Sequence, residues 1–132
     1  MKIMLIEDHK MLAQCLKMDL ESGGEIRVDI PEKMKDIKDK LQEETYDLLL
    51  IDINLDGMAK GENGLELSKA LIRDYGSKVL ILSGYNLDFY REKAKDMGCM
   101  GFISKEESTQ SLLAKIRGVC LENKRYFSSK NH

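Results

Sequence analysis

Apolar positions in this chain fall into two kinds of run. Ile3 to Ile6, Leu48 to Ile51 and Val79 to Leu82 are continuously apolar. Ile26, Val28 and Ile30 alternate with Arg27 and Asp29, and Met100, Phe102 and Ile103 form a fifth, weaker run around Gly101. Continuous runs predict strands covered on both faces, whereas alternation predicts an exposed edge. The first, third and fourth runs therefore belong in the middle of a sheet, and the second at its edge. Between the runs, apolar residues recur at helical spacing. Met11, Leu12, Cys15 and Leu16 share one face; so do Met34, Ile37 and Leu41, and Leu67, Ala70 and Leu71. Leu112, Leu113, Ile116, Val119 and Cys120 make the fullest stripe, with Ser108 or Thr109 as its N-cap. The segment Asp88 to Met97 has the poorest one, Tyr90, Ala94 and Met97, and Gly98 is its stop. The methionines read mostly as helix-face core. Five strands alternating with five helices predict an α/β fold, a doubly wound parallel sheet with helices on both faces.

In such sheets ligands bind beyond the carboxyl ends of the strands. Glu7 and Asp8 follow the first run, Asp52 ends the third, Ser83 and Gly84 follow the fourth, and Ser104 and Lys105 follow the fifth. A parallel sheet brings all of these to one crevice. Three carboxylates gathered there repel one another and raise their own pKa values unless a cation neutralises them. A few protein oxygens, with positions left for water and phosphate, describe a Mg2+ site better than a calcium cage. The backbone carbonyl of Asn54 is a further candidate ligand. With Lys105 and the Ser83 hydroxyl close by, the set suits phosphoryl transfer: cations neutralise the phosphoryl oxygens, Ser83 donates to one of them, and Gly84 leaves room. Asp52 is then the nucleophile and forms an acyl phosphate.

The stretch Asp52-Ile53-Asn54-Leu55-Asp56-Gly57 also imitates the start of a calcium-binding loop. Its twelfth position is Asn63 where a bidentate Glu is needed, and an apolar strand-like run precedes it where a helix belongs. His9, just after the acid pair, reads as the opening of the first helix at the rim of the crevice; Tyr85 and Tyr90 read as surface residues.

Composition narrows the class. The 132 residues fit one domain. A net charge of −2 argues against a nucleic-acid-binding surface on this domain. No apolar run reaches the length of a membrane span, and the N-terminus is too short an apolar stretch for a signal peptide, so no membrane partner is expected and the cytoplasm is the expected compartment. Three scattered cysteines, Cys15, Cys99 and Cys120, suit buried thiols in a reducing compartment.

Taken together, the acid pair in "LIEDH", Asp52 in "LLLIDINL", Ser83 in "LILSGY" and Lys105 in "GFISK" resemble the receiver domain of two-component response regulators, over roughly residues 1 to 123. The resemblance implies a flavodoxin-like sheet of order 2-1-3-4-5. It implies Asp52 as phosphoacceptor, Glu7, Asp8 and Asp52 as Mg2+ ligands, Ser83 as switch hydroxyl and Lys105 as the family's lysine. Phe102 matches its switch aromatic, expected to turn inward when Ser83 moves. The implied partners are a sensor histidine kinase and, once phosphorylated, a partner or a second copy meeting through helix 4, strand 5 and helix 5. The family is a switch and not an enzyme. Two departures stand out: Asp56 replaces a usual Pro, and Gly64 lies twelve residues after Asp52 instead of about eight, which lengthens the loop before it. Lys105 is followed by Glu106 in place of Pro, which is more like the LuxR/NarL-type regulators, whose DNA-binding output domain is absent from this chain. Residues 124–132 read as the start of a linker or a C-terminal tail, so the chain is expected to be the N-terminal part of such a regulator, with a stand-alone receiver as the alternative. A haloacid dehalogenase-like phosphatase shares the acid, the lysine and the hydroxyl, but Asn54 stands where its acid-base Asp belongs.

Overall fold

The computed structural model describes residues 1–55, 64–84 and 88–127. Five strands alternate with five helices: β1 (Lys2–Ile6), α1 (Lys10–Glu21), β2 (Arg27–Asp29), α2 (Met34–Glu43), β3 (Leu48–Asp52), α3 (Gly64–Tyr75), β4 (Val79–Ser83), α4 (Asp88–Asp96), β5 (Gly101–Ser104) and α5 (Thr109–Glu122). The strands form one parallel sheet in the order β2-β1-β3-β4-β5. The continuously apolar runs occupy its three central places, as their double-sided burial requires, and the alternating run is an edge. The expected segment around Asp56 to Asn63, with Tyr85 and His132, lies outside the described residues.

Alternation along each strand divides the core in two. Met4, Ile6, Leu49, Ile51, Val79, Ile81 and Phe102 pack against α2, α3 and α4 through Ile37, Leu67, Leu71 and Ala94. Ile3, Leu5, Leu48, Leu50, Leu80, Leu82 and Ile103 pack against α1 and α5 through Ala13, Leu20, Leu112, Ile116 and Val119.

Two helix faces differ from the expected ones. On α1, Ala13 and Leu20 are buried, while Met11 (74 % exposed) and Cys15 face outward. On α4 the buried residues are Arg91 and Ala94, and Tyr90 is exposed. Among the described methionines, Met11 and Met18 are exposed and Met4 lies in a strand, so only Met34 and Met97, partly buried against the core, resemble the expected helix-face packing. The ends of α4 and α5 follow ordinary capping rules. Gly98, at φ +97, closes α4 in the left-handed region that glycine tolerates best. The hydroxyl of Ser108 accepts from Ser111 N–H at 3.1 Å to start α5, and Asn123, at φ 55, ends it. Among the described residues, no helix is long and apolar enough to cross a membrane.

Candidate functional site

The sheet register lines up the carboxyl ends of β1, β3, β4 and β5. Ile6 lies beside Ile51, Asp52 beside Leu82, and Ser83 beside Ser104, so Glu7, Asp52, Ser83 and Lys105 reach one edge together. The chain is pinned there by Ile53 N–H donating to the Leu82 carbonyl at 2.9 Å and Lys105 N–H donating to the Ser83 carbonyl at 2.8 Å. His9 caps α1, its Nδ1 accepting from Leu12 N–H at 3.1 Å, while its own N–H donates to Glu7 Oε2 at 3.1 Å. The histidine therefore opens the helix at the rim, as its place in the sequence suggests.

Three acids that are far apart in sequence meet. Oxygen atoms of Glu7, Asp8 and Asp52 all lie within 4.8 Å of one another. Glu7 and Asp52 are almost fully buried, at 4 % and 2 % exposure. Lys105 Nζ stands 3.0 Å from Glu7 Oε1 and 3.0 Å from Asp52 Oδ1, neutralising part of that charge. Lys105 touches two of the three acids. Burial, with the neighbouring Asp52 carboxyl, pushes Glu7 up to about 7, and the bonds from His9 N–H and Lys105 only partly oppose this. Burial works against the charge on Lys105, but its bonds to Asp52 and Glu7 outweigh it and hold its pKa above the usual lysine value. An all-oxygen donor set of three carboxylates in a small space is the chemistry of a hard divalent cation, so these residues fit Mg2+.

The other expected residues lie in or just after the strands that end at this edge. Asn54 is exposed and its N–H donates to Asp52 Oδ1 at 3.2 Å, which orients the acid. Ser83 is buried at the end of β4. Ile81 pairs with Phe102, and Ser83, two residues on, lies on the same face of the sheet. Phe102 is already buried, at 8 % exposure, with the Arg91 guanidinium 5.6 Å from its ring centroid. Gly84 is exposed, and among the described residues a side chain on it would meet nothing, so packing does not demand glycine there. Gly64 is the reverse. Its N–H donates to the Ile53 carbonyl at 2.9 Å, and a Cβ would stand 2.7 Å from Ile53 Cα and collide with the Asp52 carbonyl. Despite the lengthened loop, the start of α3 closes directly onto the backbone of the phosphoacceptor candidate. The strand before Asp52 also removes the helix that a calcium loop requires.

Two features escaped the sequence reading. Arg91 is buried although charged; it pairs with Asp88 and lies on Phe102. The segment after α5 returns to the sheet: Tyr126 N–H donates to the Met100 carbonyl at 2.8 Å, and Phe102 N–H donates to the Tyr126 carbonyl at 3.0 Å. An unexplained glycine in β5 (Gly101) and another inside α5 (Gly118) were the available signals.

A parallel 2-1-3-4-5 sheet with buried acids and one lysine at its carboxyl edge defines a receiver-type domain. The sequence model described as "Response regulator receiver domain" matches residues 3–117. The chain belongs to that family. It is 34 % identical over 133 aligned residues to the transcriptional regulatory protein ComA of Bacillus subtilis (strain 168), covering 96 % of this chain and 61 % of ComA. It is 29 % identical over 118 residues to the response regulator ArlR of Staphylococcus saprophyticus, covering 89 % of this chain and 51 % of ArlR. The chain thus spans between half and two thirds of these relatives. Among solved structures, a LuxR-family two-component response regulator from Aurantimonas sp. SI85-9A1 superposes with a TM-score of 0.82 at 22 % identity, over 96 % of this chain and 89 % of that one, and shares the fold.

Proposed function

We propose that this chain is a phosphorylation switch: Asp52 accepts a phosphoryl group from the phosphohistidine of a sensor kinase, and the α4–β5–α5 face responds. The single observation that carries the reading is the meeting of Glu7, Asp8 and Asp52 with Lys105 bridging two of them. An oxygen of Asp52 attacks the phosphorus, the new O–P bond replaces the N–P bond, and the imidazole leaves and takes up a proton. Glu7, Asp8 and Asp52, with the Asn54 carbonyl, would hold Mg2+, which when bound neutralises charge on the transferring group. Lys105 supplies a second positive charge, and the Ser83 hydroxyl donates to a phosphoryl oxygen. The product carries up to about two negative charges and three acceptor oxygens where one carboxylate stood, enough to redraw the hydrogen bonds of Ser83 and Lys105 and so the ends of β4 and β5. The similarity to ComA and to the LuxR-family structure supports a place ahead of a DNA-binding output domain, in the LuxR/NarL manner, with any DNA contact made by that domain.

The test is intact-mass measurement after incubation with acetyl phosphate and Mg2+. The wild type should gain one phosphoryl adduct and Asp52→Ala none; an adduct on both refutes the assignment. A hydrolase of the haloacid dehalogenase type is disfavoured because Asn54 cannot act as the second acid. With a generic phosphate ester, turnover beyond one phosphate per chain would favour it instead.

A further inference from the structure

The segment that follows α5 is seated in a place made for it. The chain turns at Asn123 and runs parallel beside β5, bridging Gly101 to Tyr126. The backbone pair is completed by Tyr126 N–H to the Met100 carbonyl and Phe102 N–H to the Tyr126 carbonyl. Two glycines make the seat. A Cβ on Gly101 would meet Leu80 Cδ2 at 2.7 Å, the Tyr126 carbonyl oxygen at 3.1 Å and Tyr126 Cβ at 3.2 Å. A Cβ on Gly118 would lie 2.8 Å from Tyr126 Cζ and collide with its hydroxyl. Glycine inside a helix or a strand is unfavourable relative to alanine, so one inside each, both facing the same tyrosine, calls for a compensating contact. Arg125 adds a third anchor: its guanidinium donates to the carbonyls of Lys95 and Cys99 at the end of α4, both at 3.1 Å, and stacks 5.0 Å from the Phe127 ring. Lys115 of α5 lies 5.9 Å from the Tyr126 ring.

The segment is thus held at once by α4, β5 and α5, and its bond on β5 is to the backbone of Phe102. A segment with three anchors keeps all of them only while the three elements hold their present relation. We propose that residues 124–127 are a built-in cover on the α4–β5–α5 face that is released when Asp52 is phosphorylated, and that this release carries the signal into whatever the face next engages. The inference rests on the phosphoacceptor reading above. The route is short. Lys105 N–H is bonded to the Ser83 carbonyl, Lys105 follows β5 directly, and Phe102 lies three residues before it. A pull on Lys105 and Ser83 towards the phosphoryl group shifts β5 against α4, where Arg91 lies on the Phe102 ring and Arg125 holds the carbonyls of Lys95 and Cys99.

Hydrogen exchange read by mass spectrometry on peptides spanning 99–104 and 123–127 tests this, with phosphorylation scored by intact mass in the same samples. In the wild type without acetyl phosphate, the Tyr126 and Phe102 amides should be protected. Phosphorylation should lower that protection by about tenfold or more, while Asp52→Ala under the same treatment stays protected. Gly118→Ala keeps or improves α5 as a helix but evicts the Tyr126 ring, so it should lose the protection without phosphate and still take up one phosphoryl group. Tyr126→Ala should behave alike and stands in if the first variant folds poorly. Full protection in both variants, or unchanged protection in a wild type shown to be phosphorylated, overturns the cover. If no phosphoryl group is taken up at all, the proposed function fails and the coupling with it, while the variants still report whether the seat exists.

Discussion

Replacing Glu7 by Gln should make this protein more stable at neutral and alkaline pH, although it removes a residue of the functional site. Glu7 is buried beside Asp52, and burial with that neighbour lifts its carboxyl from 4.5 to about 7. Between these values the folded protein still holds a proton that the unfolded chain has released. The stability that this proton brings is complete below pH 4.5 and is lost as the pH rises through about 7. At about 1.4 kcal/mol per pH unit, the loss amounts to about 3 kcal/mol. Gln imitates the protonated carboxyl at every pH, and Lys105 keeps Asp52 as a partner at 3.0 Å. The variant should therefore lack this slope and exceed the wild type by up to about 3 kcal/mol well above neutrality, a rise in Tm on the order of 10 °C for a domain this size. Urea unfolding followed by circular dichroism, with EDTA present, measures it at a series of pH values from about 4 to 8. Added Mg2+ should stabilise the wild type most at the alkaline end, where the proton is absent, and should do little for the variant. A wild-type curve with no downward slope between acid and neutral pH, or a Gln variant weaker than wild type throughout, would refute the reasoning. A site residue whose removal stabilises the fold is what a binding cluster under electrostatic strain predicts.

Gly64→Ala should cost roughly 2 kcal/mol or more, because its Cβ would collide with the Asp52 carbonyl and the Ile53 backbone, and phosphorylation by acetyl phosphate should slow with it; the urea midpoint and intact mass check both. Tyr46→Phe deletes the hydroxyl that donates to Asp29 Oδ2. Burial works to raise the Asp29 pKa, but this bond with the nearby Lys40, Arg27 and Lys2 charges holds it below 3.8, so its contribution is present above that value and is lost as the pH falls further. The variant should lose about 1 kcal/mol at neutral pH and the Asp29 carboxyl should titrate higher by NMR. Among the thiols, burial pushes Cys99 up to about 12, so a thiol reagent at neutral pH should modify exposed Cys15 quickly and Cys99 only on unfolding; early loss of Cys99 would contradict its burial.

The pattern of apolar residues was enough for five strands, their central or edge places, the second strand's exposure and the convergence of Glu7, Asp52, Ser83 and Lys105, because a strand buried on both faces has to be apolar throughout and a parallel sheet has to present all its carboxyl ends on one side. The motifs in order were enough for the family and its strand order. What lay beyond that reach depended on neighbours distant in sequence. Met11 and Cys15 fit the apolar spacing of α1 but face water, because Ala13 and Leu20 face the core and residue size along the stripe does not reveal its centre. Arg91, off the apolar stripe of α4, is buried, since a cation enters a core only when a ring such as Phe102 and an acid such as Asp88 wait for it. Gly118 looks like a flaw in its helix until Tyr126 arrives against it, and Gly101 like one in its strand until Leu80 and Tyr126 close on it. The local sequence determined which segments become strands and helices, for that is a matter of periodicity. The three-dimensional fold decided which acids share their charge and which side chains fill one another's space, for those energies exist only between residues that the fold has brought together.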